Sequence, residues 1–165
     1  MRLNFGLPSA CDDDLETIIQ PYLDLLQEAK TDYTFAMRTL SRVPGSVDSA
    51  VDDLAERSLN LTCDAEAWKD KMRLYFNSVY IPRLVSGNVA MQMNKVNPNF
   101  VLRNWVAQNI VDWAENSGTE WVDKTLKLFT AHAFDDHAPS GMEDAEKYTG
   151  PVPEWSEGLQ CSCSL

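Results

Sequence analysis

Hydrophobic positions recur with helical spacing along nearly the whole chain. In DLETIIQPYLDLLQEAK, residues Leu15, Ile18, Ile19, Tyr22, Leu25 and Leu26 return every three to four positions, the repeat of a helix with one buried face. Asp12, Asp13 and Asp14 precede it, and carboxylates favour the positive end of a helix. Pro21 lies inside the repeat and lacks an N–H, so a kink or two short helices are expected. Asp32 can cap a second helix, YTFAMRTLSRV, with Ala36, Leu40 and Val43 on one face and Pro44-Gly45 as its stop. Ser46 can cap a third, running through Val47, Val51 and Leu54 to about Leu59. Asp64 opens a long amphipathic stretch in which Trp68, Met72, Tyr75, Phe76 and Val79 recur at helical spacing. Pro82 should break or bend it, and Gly87-Asn88 punctuates the chain again.

Asn97-Pro98 reads as a helix start, with Asn as cap and Pro at the first helical position. The helix NFVLRNWVAQNIVDWAEN would place Leu102, Trp105, Val106, Ile110 and Trp113 on one face. Ser117 and Glu120 stand at capping-box spacing. The last helix, EWVDKTLKLFTAHAF, aligns Val122, Leu126, Phe129 and Ala133. Beyond Phe134 the periodicity stops, and Gly, Pro and acidic residues take over. The expected fold is therefore mostly α: an irregular bundle of about six helices over residues 1–134, then an extended, irregular acidic tail over 135–165. Trp155 would anchor that tail on the helices. No β alternation and no internal repeat stands out.

Composition narrows the function. A chain of 165 residues can bury one real core. No apolar run approaches the ~20 residues of a membrane-spanning helix. The net charge is −11, from 14 Lys and Arg against 25 Asp and Glu. Such a surface repels phosphate backbones and anionic membranes, so neither nucleic acid nor membrane is an expected partner. The start, MRLNFGLPSACDDD, has no apolar core for a secretory signal and is too acidic for a mitochondrial presequence. Four cysteines, Cys11, Cys63, Cys161 and Cys163, do not make a secreted disulfide framework in a chain this long; a reducing compartment with one special thiol pair fits better.

Four groups could carry chemistry. His132 with Asp135, Asp136 and His137 has metal-ligand types, but two histidines five apart do not share a helix face. A frayed helix end with water-facing carboxylates explains them as well, and no metal site is assigned. Arg103, with Asn97 and Asn104 near it, is the best candidate for holding an anion or substrate. A capped helix whose arginine pairs with a carboxylate is the alternative, and it is favoured. Trp68, Trp105, Trp113, Trp121 and Trp155 could form an aromatic cage for a cation, though their spacing says core. Cys161 and Cys163 form a Cys-Ser-Cys near the chain end, where thiols have no packing role. They can attack disulfides, bind soft metals or be oxidised. A disulfide within so short a pair is strained, so a bond to a third cysteine is easier. Glycine-rich phosphate loops, GxSxG and HExxH are all missing from the sequence.

Four stretches, in order, resemble the C-terminal region of the selenoprotein O (SelO) family of protein adenylyltransferases. They are DYTFAMRTLS from Asp32, Trp68 near the start of its long helix, MNKVNPNFVLRN from Met93 to Asn104, and PEWSEGLQCSCSL. The NPxxVLRN element and the Cys-Ser-Cys-Ser ending are the specific ones. The resemblance implies a kinase-like fold that binds ATP in a flipped orientation and, with Mg²⁺, transfers AMP to Ser, Thr or Tyr hydroxyls of proteins. Some members carry selenocysteine where this chain has Cys163, so Cys161 and Cys163 would be a redox element. The resemblance also implies a mitochondrial protein in a eukaryote, and a cytoplasmic one otherwise.

The family's ATP-anchoring Lys, its αC-type Glu and its metal-binding Asn and Asp have no counterparts here. No catalytic, nucleotide-binding or metal residue is therefore assigned. The chain is expected to be the C-terminal portion of such an enzyme, inactive alone, with the missing N-terminal kinase-like core and the protein substrates as its partners. Met1 would then be an internal start, a truncated gene model or the start of a split protein. The alternative is a stand-alone, non-enzymatic helical module that binds a protein partner.

Overall fold

The computed structural model describes residues 1–7, 11–61, 64–84, 87–156 and 159. The fold is mostly α, as the periodicity predicts, and among the described residues it contains seven α-helices and no strand. The chain forms two compact units, Met1–Asn97 and Pro98–Leu165.

In the first unit, Pro21 and Pro82 shape the backbone in the same way. Leu15–Ile19 and Phe76–Tyr80 are π turns, and each ends at the residue before an X-Pro pair. Gln20 N–H bonds to Leu15 O and Ile81 N–H to Phe76 O, five residues back in both cases. A proline ring collides with the carbonyl four residues before it; one extra residue in the turn moves that carbonyl aside. The first π turn runs directly into α1 (Gln20–Ala29), so the chain stays helical through Pro21 and does not divide into two short helices. Asp32 caps α2 (Tyr33–Thr39) by accepting from Phe35 N–H at 3.1 Å, and Ser46 caps α3 (Val47–Glu56) by accepting from Ser49 N–H at 3.2 Å. Both helices stop earlier than their hydrophobic repeats suggest. After Thr39 the chain continues in tight turns, with Arg42 N–H on Thr39 O and Gly45 N–H on Arg42 O. After Glu56 it turns away because Arg57 O accepts from Asp32 N–H and Ser58 bridges Thr31.

The stretch α4 (Ala65–Tyr75) starts at Asp64 as predicted, though the Asp64 side chain makes no capping bond. After its π turn, Ile81–Arg83 forms one 3₁₀ turn at Pro82 and the helix ends. Next comes α5 (Val89–Asn94), which the pattern reading does not foresee. It packs on Gly6, which follows the 3₁₀ turn Arg2–Phe5 and sits at φ +67, where a Cβ would lie 2.5 Å from Val89 Cγ1.

Three buried tyrosines join these pieces. Tyr22 stacks on Tyr75 (5.6 Å, 20°), Tyr75 stacks on Tyr80 (6.3 Å, 12°), and Phe5 stands edge-on to Tyr22 and Tyr80. Each phenol donates to a backbone oxygen: Tyr22 to Ala36 O at 2.9 Å, Tyr75 to Ile18 O at 2.9 Å, Tyr80 to Phe5 O at 3.0 Å. These bonds tie α1 to α2, α4 to the first π turn, and the second π turn to the N-terminal turn. Ile18, Leu26, Leu40, Leu54, Trp68 and Met72 fill in around them.

The second unit departs further from the expected pattern. Residues 98–103 are not helical, and α6 runs from Asn104 to Ser117. Asn97 does not cap a helix, and Leu102 is 55% exposed instead of lying on a buried face. Asn99 and Phe100 give their N–H groups to Ala133 O (2.7 and 3.0 Å), which holds this segment against the end of α7 (Glu120–Ala131). Ser117 belongs to α6 and Thr119 stands at the cap position of α7, with Gly118 at φ +88 in the turn between them. On α7 the buried positions are Thr125 and Leu128, while Leu126 is exposed.

Among the described residues after 134, the chain is irregular but packed in part. A 3₁₀ helix, Glu143–Thr149, places Ala145 and Tyr148 in a core with Phe100, Trp105, Val106, Leu128 and Met142. Tyr148, not Trp155, is the anchor: its ring lies 5.8 Å from Trp105 and 6.2 Å from Phe129, whereas Trp155 is 55% exposed. This core lies within the compact unit Pro98–Leu165.

The tyrosine cluster predicts an alkaline limit to stability. Burial holds the Tyr22, Tyr75 and Tyr80 phenols well above the ordinary value of 10.0. A raised folded-state value means the unfolded chain loses its protons first. The contribution is complete below pH 10 and falls as pH rises beyond it, by about 1.4 kcal/mol per pH unit for each tyrosine. Urea midpoints measured between pH 9 and 11 should drop steeply above pH 10, with phenolate absorbance appearing together with unfolding. Phenolate appearing in the folded chain near pH 10 for all five tyrosines would contradict the burial.

Candidate functional site

The stretch MNKVNPNFVLRN divides at its proline. On the first-unit side, Asn97 is 1% exposed and sits where three elements meet. Its N–H donates to Met93 O at 2.9 Å, extending α5 by a turn. Its side-chain amide donates to Asn4 O (2.8 Å) and Met37 O (2.9 Å), and its side-chain oxygen accepts from Asn4 Nδ2 at 2.8 Å. Its backbone oxygen accepts from Arg38 Nη1 at 2.8 Å, and the same nitrogen donates to Asn94 O at 2.8 Å. Asn4 Nδ2 also reaches Val96 O at 3.2 Å. The N-terminal 3₁₀ turn, α2 and the end of α5 are thereby fastened to one amide. Arg38, 8% exposed, places its positive charge on carbonyls at the C-terminal end of α5, where the helix dipole favours it.

These contacts change the roles read from the sequence. Asn97 has its side-chain hydrogen bonds directed inward, so it is a structural hub and not a substrate ligand. Asn4 and Arg38 are its partners and were not foreseen. The signal for Arg38 lay in YTFAMRTL, where a charge stands among Ala36, Met37 and Leu40, all buried.

On the second-unit side, Arg103 donates to Gly150 O at 3.4 Å, and the Asn99 amide donates to Asp135 O (3.2 Å) and Asp136 O (3.1 Å). Asn104 is exposed at the start of α6. The NPxxVLRN residues thus mainly organise backbone.

The remaining candidates separate. His132 Nδ1 lies 2.8 Å from Asp135 Oδ2 and His137 Nδ1 lies 3.5 Å from Glu146 Oε1, so each histidine faces its own carboxylate. Trp68 and Trp105 are core residues, and Trp68 Nε1 donates to Leu25 O at 2.9 Å. Exposed Trp113 and half-buried Trp121 form an edge-to-face pair, rings 5.4 Å apart at 64°. Cys161, Cys163 and Cys63 lie outside the described residues. Cys11 is exposed, and its N–H donates to Asp14 Oδ2 at 2.9 Å.

Cys11, Asp13 and Asp14 are close enough to hold a metal ion. They do not fit Mg²⁺. Asp14 Oδ2 takes the Cys11 N–H, Oδ1 takes the Arg83 guanidinium at 2.7 Å, and that guanidinium adds a positive charge beside the group. Nor does the sequence hold a glycine-rich phosphate cradle. The Cys11, Asp13 and Asp14 group therefore does not fit the Mg²⁺ that accompanies ATP.

Comparison with known proteins identifies the relationship. The family described as protein adenylyltransferase SelO matches the chain over residues 1–130. The protein nucleotidyltransferase YdiU of Cupriavidus pinatubonensis is 30% identical over 166 residues, covering 99% of this chain and 29% of the relative. The protein of that name from Vibrio vulnificus strain YJ016 is 31% identical over 170 residues, covering 99% and 32%. That from Aliivibrio fischeri strain MJ11 is 32% identical over 165 residues, covering 99% and 31%. The chain spans less than a third of the length of these curated relatives.

The hub predicts a specific weakness. Asn97→Asp keeps the shape but turns a donor towards Asn4 O and Met37 O into an acceptor. It should destabilise the chain by about 3 kcal/mol, read as a lowered urea midpoint at neutral pH. A loss below about 1 kcal/mol, the size of an ordinary surface change, would mean that the hub does not hold the unit together.

Proposed function

Because the chain belongs to the SelO family of protein adenylyltransferases, we propose that it serves as the C-terminal portion of an enzyme that transfers AMP from ATP to Ser, Thr or Tyr hydroxyls of other proteins. The observation that carries this reading is the family match across residues 1–130 of a chain that spans under a third of its relatives' length. Transfer chemistry at a phosphate needs phosphate clamps and metal ligands, and we assign neither among the described residues. ATP and Mg²⁺ then belong to the kinase-like body, and this portion supports that body. The body and the substrate proteins are its partners. The enzyme works in mitochondria if its source is eukaryotic and in the cytoplasm otherwise. No helix among the described residues is long and apolar enough to cross a membrane.

In the same reading, Cys161 and Cys163 form the redox element. One of them pairs with a further cysteine, two thiols becoming one disulfide as two protons and two electrons pass to an oxidant such as glutathione disulfide. A stand-alone module that binds a protein partner is the second reading. It draws on the exposed apolar side chains Leu3, Leu15, Leu59, Leu74 and Met91 of the first unit, which suit a covered surface.

Calorimetric titration of the 165-residue chain with ATP and Mg²⁺ should give no saturable heat in the micromolar range. Saturable binding would place nucleotide chemistry in this chain and overturn the assignment. In the whole adenylyltransferase, Cys161→Ser with Cys163→Ser should abolish any difference in activity between oxidised and reduced samples. An unchanged redox response in that variant removes the two thiols from regulation.

A further inference from the structure

Where α6 passes into α7, Gly118 turns the chain so that Trp113 and Trp121 face a common notch of about 250 Å³, lined also by Glu120 and Lys124. Trp113 is 45% exposed, and Trp121 is half-buried with one wall open to the notch. The space is smaller than the 300–1,000 Å³ of a drug-sized site and suits a single long side chain. Aromatic faces carry negative potential and attract cations within about 6 Å of the ring centre. The chain already places one there: Lys124 Nζ lies 5.6 Å from the Trp121 ring centre and 2.8 Å from Glu120 Oε1. Glu120 is held ionised, since the hydrogen bond and charge of Lys124 keep its carboxyl below the ordinary value.

We propose that this notch binds an arginine side chain presented by a basic segment of a partner protein, which displaces Lys124 from Trp121 and Glu120. Three observations support the exchange. The Lys124–Glu120 pair is an exposed i,i+4 contact, and such pairs are weak. A guanidinium is planar and weakly hydrated; it stacks on indole and can bond a carboxylate through two N–H groups, which an ammonium cannot. Residues 98–165 hold four Lys and Arg against eleven Asp and Glu, a net charge of −7 that draws a basic segment to this unit. The inference stands apart from AMP transfer, because it concerns a cation site on a surface that needs no nucleotide.

The test uses the ¹⁵N-labelled 165-residue chain and the indole N–H signals of its tryptophans, assigned with Trp113→Phe and Trp121→Phe. The probes are acetyl-GGRGG-amide and the same peptide with Gln or Leu in place of Arg. The Arg peptide should shift the Trp113 and Trp121 signals saturably, and the other two should not. Glu120→Gln should weaken that binding about fivefold. Lys124→Gln should tighten it, and by more than Lys127→Gln, which makes the same change of charge one turn away. The opposite signs at positions 120 and 124 would not follow from a purely structural role. Equal shifts with the Leu or Gln peptide would mark an apolar notch and overturn the proposal. So would still indole signals with the Arg peptide, equal effects of Lys124→Gln and Lys127→Gln, or shifts that follow the concentration of the chain itself and mark a second copy as the occupant.

Discussion

The first unit is organised by the rule that a buried polar group must find its partners inside the protein. Asn97 and Arg38 are both removed from water, and leaving either without partners would cost more than one ordinary hydrogen bond contributes. Their partners are backbone carbonyls and one amide from three separate pieces of chain. These bonds are directional, so they fix register where apolar packing alone would tolerate slippage. The tyrosine hydroxyls obey the same rule on the other elements. Tyr22, Tyr75 and Tyr80 bring large apolar surface to the core and each ends on one carbonyl. Hydrophobic burial thus draws the helices together, and a small set of inward hydrogen bonds selects one arrangement.

Much of this was legible in the sequence where a signal is local. Asp32 and Ser46 were readable as caps because the bond they make spans only three residues. Pro21 and Pro82 announced disturbed helices because the missing N–H and the ring clash are intrinsic to proline. The signals that failed were those for which a distant group competes. Asn97-Pro98 has the form of a helix start, yet Asn4, Met37 and Arg38 hold Asn97 from up to 93 positions away. Leu126 fits the spacing of a buried face, but the unit turns Thr125 and Leu128 inward. Tyr148 lies in a stretch without periodicity, since a 3₁₀ turn of seven residues is too short to show one. Of the candidate site, the Trp pair was legible only as a set of five aromatics, because the sequence cannot say which two meet.

The chain belongs to the SelO family, and its geometry shows how one of the stretches that carry the resemblance is used. In NPxxVLRN, Asn97, Asn99 and Arg103 all bond to backbone oxygens. The Trp113–Trp121 notch is different in kind, since Trp113 is exposed and Trp121, though it packs on the core of its unit, also lines the notch. Surface aromatics of that sort expose apolar area that packing does not require.

The separation of aromatic types between the units gives the molecule two independent optical probes. Four of the five tyrosines fall in Met1–Asn97, and four of the five tryptophans fall in Pro98–Leu165. Near-ultraviolet dichroism in the tyrosine band therefore reports on the first unit, and the indole bands report mostly on the second. Loss of the two signals at different denaturant concentrations would reveal units that melt separately. A single shared transition would mean that the peptide bond between Asn97 and Pro98 joins parts of one cooperative whole.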